Sequence, residues 1–322
     1  MTSVAPAPAG PVVAAARTGR TSRPARPRRT GAARRRRNAL LAVAFLAPSA
    51  IPLALFVYTP MVRAGWISLH DWNLISPMRW AGLDNYRTVL ADPDTRGAFW
   101  HTFQYVGGYL PLVLVGGLAL ALALNRPLRA RGLLRGVYFL PVVTSWIAVA
   151  LVWRWLLNPT NGAVNAVLGF FGIDGPGWWS DPTWAMPSVI LASAWKDVGY
   201  VMVILLAGLQ SIPADVVEAA TLDGAGPWRR LWSITLPLLS PSLFFVLVTS
   251  LISGLQVFDQ VYAMTEGGPA GASEVVVQQV YDLTFRYGHA GQGAALSWLL
   301  FLVILAVTVV QLRGQRKWVQ GA

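Results

Sequence analysis

The sequence predicts an all-α integral membrane protein with six transmembrane helices and both termini in the cytoplasm. Three observations carry that prediction. The chain of 322 residues is 55% hydrophobic and only 12% charged, and its Leu, Ala and Val stand in long blocks, as expected when lipid is the solvent. Six of those blocks, at 39–61, 101–124, 134–157, 186–209, 241–263 and 292–312, reach the about 20 apolar residues that a helix needs to cross the hydrocarbon. Lys and Arg crowd the stretches on one side of these blocks, and six crossings return the chain to the side on which it starts.

The first span follows a tail in which ten arginines lie between Arg17 and Arg37. With Arg126, Arg129, Arg131 and Arg135 in the second connection, Arg229 and Arg230 in the fourth, and Arg313, Arg316 and Lys317 at the end, this side holds 19 of the 26 basic residues. The positive-inside rule makes it the cytoplasm. The formal charge of +12 is therefore read as an orientation signal rather than as a nucleic-acid surface. The apolar run is longer than that of a signal peptide and no small-residue cleavage site follows Tyr58, Thr59 and Pro60, so an uncleaved anchor is expected. Residues 1–37 contain almost nothing large and apolar, which predicts a disordered basic tail available to anionic lipid.

The external loop within 38–100 carries Trp66, Trp72, Trp80 and Trp100, rings suited to the headgroup zone, and is expected to lie on the bilayer. In the second span Gly117 with Ala121, and Ala119 with Ala123, are small-residue pairs that let a neighbouring helix approach. Trp153, Arg154 and Trp155 fit an aromatic belt with a snorkelling arginine. The loop 158–185, with Trp178 and Trp179, reads as a lid or a packing loop. A zero cysteine count excludes disulfides and thiolate sites, and His70, His101 and His289 are too scattered for a metal centre, so neither a metal nor a cofactor is expected.

The most patterned stretch is the connection 211–241, SIPADVVEAATLDGAGPWRRLWSITLPLLSP. Ser211 can cap a helix that Pro213 and Asp215 favour in its first turn and that runs to about Asp223, where Gly224 can take the left-handed stop. Pro227 starts a second short helix, which Pro237 is expected to break before the fifth span. On the first helix Val216, Ala219, Ala220 and Asp223 share a narrow face, with Glu218 at its edge. From the residues alone, this hairpin either sinks into a partner's groove or lies on the membrane surface.

Glu218, Ala219 and Ala220, then Gly224, then Ile234, Leu236 and Pro237 resemble the EAA loop of ABC-importer permeases. GLDNYR at 82–87, LPVV at 140–143, AGLQSIP at 207–213 and QVFDQVYAMTEGGPA at 256–270 resemble the carbohydrate-uptake permeases of the maltose and glycerol-phosphate type, in particular the first of their paired subunits. His101 stands where such proteins often have Asn. The resemblance implies a type I, MetI-like, ABC-importer fold with a core at 101–312 and a cytoplasmic end at 313–322. It implies docking of Glu218, Ala219, Ala220, Asp223, Gly224, Ile234 and Pro237 on a separate ATPase. The implied partners are a second permease subunit in a heterodimer, a homodimeric ATP-binding subunit, an extracytoplasmic solute-binding protein and a carbohydrate substrate. The residues agree on the separate ATPase, since the only lysines, Lys196 and Lys317, do not sit in a phosphate-binding Gly-rich turn.

For the substrate pathway the fifth span offers Thr249, Ser253, Gln256 and Gln260 as one polar stripe flanked by Asp259, which either faces a wet cavity or bonds neighbouring helices. The fourth span contributes Ser193, Lys196, Asp197 and Tyr200, and the buried lysine is expected to find a partner such as Asp259, which favours structural neutralisation over substrate contact for it. The competing classes are an ion-coupled secondary transporter and a membrane scaffold protein. The first would need more acidic residues deep in its spans, and the second would need no polar stripe.

Overall fold

The computed structural model describes residues 31–127 and 129–318. Two units divide the chain, one ending at Thr59 and the other beginning at Pro60.

The first unit holds α1 (Gly31–Leu53), followed by a π-helical turn over Ala54–Tyr58. Pro48 and Pro52 lie within α1, and the wide turn begins just after Pro52, where a missing N–H has already weakened the ladder. Thr59 then donates both its backbone N–H and its hydroxyl to the Ala54 carbonyl. Helix α1 begins at Gly31, so residues 31–37 are helical where the composition predicted disorder. Good helix formers flank the arginines there, and the apolar span extends the ladder back into them. The rest of the tail lies outside the described residues.

Helix α2 (Thr59–Ile67) belongs to the second unit from Pro60 onward, followed there by a two-stranded antiparallel ladder of β1 (His70–Asp71) and β2 (Arg79–Trp80), and α3 (Asp84–Ala91). The buried Asn85 side chain ties these pieces together, donating to the Ser68 and His70 carbonyls at 2.9 and 2.8 Å. The expected surface-lying loop is thus a small folded module, from which Trp66, Trp80 and Trp100 remain exposed. Asp92 accepts from the N–H groups of Asp94 and Thr95 and caps α4 (Pro93–Leu124), which starts eight residues before the predicted span.

Two helices form the third span, α5 (Arg131–Val143) and α6 (Trp146–Leu156), bent by 100° at Thr144 and Ser145 instead of running straight through 134–157. Pro141 sits two residues before the end of α5 at Val143, and Thr144 and Ser145 take extended backbone angles. A short α7 (Ala163–Phe170) precedes α8 (Ala185–Gln210), which packs along α4. Gly117 and Ala121 form the contact, and a side chain at Gly117 would collide with Val201. Ala119 and Ala123 do not join it: about 100° per residue turns them to the exposed face.

After α8 come α9 (Ala214–Leu222) and α10 (Pro227–Arg230), then a π-helical turn over Leu231–Thr235 that runs into α11 (Leu236–Leu255). Pro237 does not break the chain here. The wider turn gives its ring room, and Pro227–Leu255 is one continuous helical stretch of 29 residues. Helix α11 stops at Leu255, well before the predicted end at 263, and α12 (Asp259–Met264), α13 (Val276–Tyr281) and α14 (Ala290–Trp318) follow. Among the described residues, five helices are long and apolar enough to cross a membrane, and the bent α5–α6 pair makes a sixth.

Candidate functional site

The end of α11 explains the cavity it borders. Gly254 packs on α4, Gln256 caps the helix outside helical geometry, and the chain restarts at Asp259. The predicted stripe is therefore not one helical ridge. Thr249 and Ser253 reach the cavity from α11, Gln256 from the interruption, and Asp259 and Gln260 from α12. An interrupted helix leaves polar backbone and side chains at one depth, which is tolerated where they line a cavity. The space measures about 460 Å³, and α4, α6 and α8 close its other sides.

Two tyrosines of α4 form the cavity's ordered wall. Tyr105 and Tyr109, one turn apart, stack with ring centroids 5.3 Å apart. The Gln260 amide donates to the Tyr105 hydroxyl at 3.1 Å, and the Tyr109 hydroxyl donates to the Asp197 carboxylate of α8 at 2.9 Å. These bonds join residues 155 and 88 positions apart and satisfy groups whose burial would otherwise be costly. Tyr200 of α8, Trp146 of α6 and Phe258 complete the lining.

Of the residues the sequence singles out for the pathway, Asp197, Tyr200, Thr249, Ser253, Gln256, Asp259 and Gln260 come together here, and Lys196 does not. The Lys196 ammonium donates to the Val142 carbonyl at 3.0 Å and lies 4.8 Å from the Trp146 ring centroid. Its expected partner Asp259 is replaced by the α5–α6 break: Val142 loses its helical acceptor bond when the backbone turns at Thr144, and the lysine fills that vacancy. Ser193, on the same helix, donates its hydroxyl back to the Val189 carbonyl. Sequence reading missed Tyr105, Tyr109, Trp146 and Phe258. The one signal was the pair of tyrosines four apart in a mostly aliphatic span.

The second region is the α9–α10 hairpin. Gly224 has φ +76°, the Ala225 N–H donates to the Ala220 carbonyl at 3.0 Å and the Gly224 N–H to the Thr221 carbonyl at 3.1 Å, which is a Schellman stop. Ser211 does not cap α9. Its hydroxyl donates to the Gly208 carbonyl of α8, and Pro213 occupies the cap position. Arg230 donates to the Thr221 hydroxyl at 2.8 Å and joins the two arms. The narrow face predicted on α9 divides: Ala220 is buried and, with Val217, faces a cleft of about 830 Å³ that Leu231 and Ile234 also line. Glu218, Ala219 and Asp223 are exposed, and so are Leu222, Trp228 and Trp232.

Outside these two regions, Arg154 is held rather than free: its guanidinium lies 4.7 Å from the Trp179 ring centroid and 3.8 Å from the Glu266 carboxylate, and its carbonyl accepts from the Trp179 indole. Asn165 of α7 accepts from the Trp178 indole, and with the Trp179 indole on the Arg154 carbonyl this packs the loop after α6 back on that helix.

The chain is 35% identical over 287 residues to the trehalose/maltose transport system permease protein MalF of Thermococcus litoralis, a match that covers 87% of this chain and 95% of the relative. It is 36% identical over 278 residues to the sulfoquinovosyl glycerol transport system permease protein SmoG of Agrobacterium fabrum, covering 86% and 90%. A crystal structure of a bacterial ABC transporter involved in the import of the acidic polysaccharide alginate superposes with a TM-score of 0.78 at 25% identity, covering 89% of this chain and 99% of that one. The model of the binding-protein-dependent transport system inner membrane component matches residues 114–317, which takes in the cavity wall from α8 onward and the whole hairpin. The chain therefore belongs to the family of binding-protein-dependent transport system inner membrane components, multi-pass and non-catalytic permease subunits of ABC importers.

Proposed function

We propose that this permease forms half of the pathway for a sugar or sugar derivative, with both termini and the α9–α10 hairpin in the cytoplasm. In this reading a second permease subunit supplies the other half, an extracytoplasmic solute-binding protein delivers the sugar, and a homodimeric ATP-binding subunit drives import. The observation that carries it is one chain joining a cavity lined by carboxylate, amide and hydroxyl groups to an exposed hairpin bearing Glu218, Ala219 and Gly224. Sugars present hydroxyls that such groups recognise, and the names of several relatives refer to sugars. The orientation is supported by the excess of Arg and Lys on the hairpin's side of the spans.

Glu218, Ala219 and Asp223 offer a short polar edge beside small residues, a shape that fits a groove on the ATPase, while Gly224 fixes the angle between the arms. Ala220 of α9 and Ile234 of the following turn face the chain's own cleft and hold the hairpin against it, while Pro237 sits in the first turn of α11. Closure of the ATPase dimer on ATP would move the hairpin and reorient the cavity walls, and linkage requires that sugar delivery favour the closed ATPase in return. The test is sugar-stimulated ATP hydrolysis by the complex reconstituted in lipid vesicles. Stimulation by at least one neutral disaccharide is expected in the wild type and its loss in Glu218→Arg. Normal stimulation in the variant would sink the docking role.

A further inference from the structure

The cavity has a charge character that the family does not dictate. Both of its ionisable acids, Asp197 and Asp259, are lining residues, whereas no Lys, Arg or His side chain lines it among the described residues. The nearest candidate cation, Lys196, is only 4% exposed and has its ammonium committed to the Val142 carbonyl and the Trp146 ring. The other polar side chains among the lining residues are hydroxyls, amides and the Trp146 indole.

We infer that this subunit selects neutral sugars against anionic ones, using Asp197 and Asp259 as hydroxyl acceptors in a lining that offers, from this chain's half of the pathway, no counter-charge to a carboxylate, sulfonate or phosphate. The inference rests on the reading of the cavity as the sugar site. Overall similarity cannot make this distinction, because relatives of nearly equal identity are named for trehalose/maltose and for a sulfonated glycoside, and the structural neighbour imports an acidic polysaccharide. The lining can. An anion entering a cavity of about 460 Å³ sheds much of its hydration, and that loss is offset only by cations or by several converging N–H donors. Here it meets carboxylate oxygens and the acceptor side of the Tyr109–Asp197 bond. A neutral sugar meets the same groups as acceptors for its own hydroxyls, with Gln256 and Ser253 as donors.

The experiment uses the complete permease–ATPase complex in nanodiscs without the solute-binding protein, held with a non-hydrolysable ATP analogue. Binding is measured for maltose, trehalose and lactose, each against the uronate in which one hydroxymethyl is oxidised to a carboxylate. The neutral member of at least one pair is expected to bind tenfold or more tightly than its uronate, and Asp259→Asn or Asp197→Asn to reduce that preference several-fold. Equal or tighter binding of the uronates overturns the inference while leaving the cavity as the sugar site, and so does a preference unchanged in both variants. If no sugar binds, or if binding survives Ser253→Trp, which fills the cavity, the site assignment itself fails and the inference with it.

Discussion

The cavity and the hairpin are built from opposite materials. Around the cavity, polar groups are buried in apolar helices and held by bonds between residues far apart in sequence, Gln260 to Tyr105 and Tyr109 to Asp197. In the hairpin, the bonds are local, from Ala225 to Ala220 and from Arg230 to Thr221, and large apolar side chains stand outside, with Leu222 89% and Trp228 71% exposed. A buried polar network is stabilised by its own completeness, so it resists change and selects what enters. Exposed apolar surface beside a locally closed turn is complete only when something covers it. On the proposed function, the first region is to be filled by a sugar and the second to be covered by the ATPase.

The largest effect should come from breaking the hairpin's role while leaving the cavity untouched. Glu218→Arg is expected to weaken ATPase docking by ~2 kcal/mol or more, about 30-fold, as at an interface hot spot. Sugar binding by the complex should not change. Co-purification of the ATPase with the permease reads the first quantity, and a parallel fall in sugar affinity would show that the two regions are not separable in this way. Gly224→Val comes next, because a β-branched residue at φ +76° costs about 1–2 kcal/mol. Hydrogen exchange should rise within 214–230 and stay unchanged in α4.

The converse test lies in the cavity. Tyr109→Phe removes the hydroxyl that Asp197 accepts and is expected to lower sugar affinity by ~1 kcal/mol, about five-fold, while ATPase docking stays at the wild-type level. Docking that fell with it would again merge the two regions. The smallest effect belongs to Glu274, in the loop between α12 and α13. Burial first, and then the carboxylates of Asp282, Asp94 and Asp92, hold its carboxyl above the usual range. Between the ordinary carboxylate range and that raised value the folded chain keeps a proton that the unfolded chain releases, so stability should fall as pH rises through this window. Glu274→Gln should flatten that slope in thermal unfolding followed against pH. An unchanged slope would assign the effect to other groups.

The same contrast explains what the sequence disclosed. The hairpin was legible because its determinants are neighbours: Pro213, Gly224 and Pro227 each act within a turn, and Glu218, Ala219 and Ala220 are consecutive. The spans were legible from length and apolarity, and the packing of Gly117 and Ala121 from their spacing. The errors arose where tertiary contacts override local pattern. The periodicity of Thr249, Ser253, Gln256 and Gln260 suggested one ridge, whereas α11 ends at Leu255 and the cavity reassembles those residues from three segments. The partner of Lys196 is the Val142 carbonyl at the α5–α6 bend, an acceptor on another helix that no local rule supplies. Pro237 failed as a breaker because a π-helical turn absorbed it.

That absorbed proline has a mechanical consequence. With no joint between Pro227 and Leu255, the 29 residues form a single lever whose lower end is part of the hairpin and whose upper end carries Ser253 into the cavity wall. At 1.5 Å per residue the lever is about 43 Å long, so a tilt of about 10° pivoting at one end would displace the other by roughly 7 Å. On the proposed docking of the hairpin, a push at the base would move the wall at the tip by more than the width of a sugar ring.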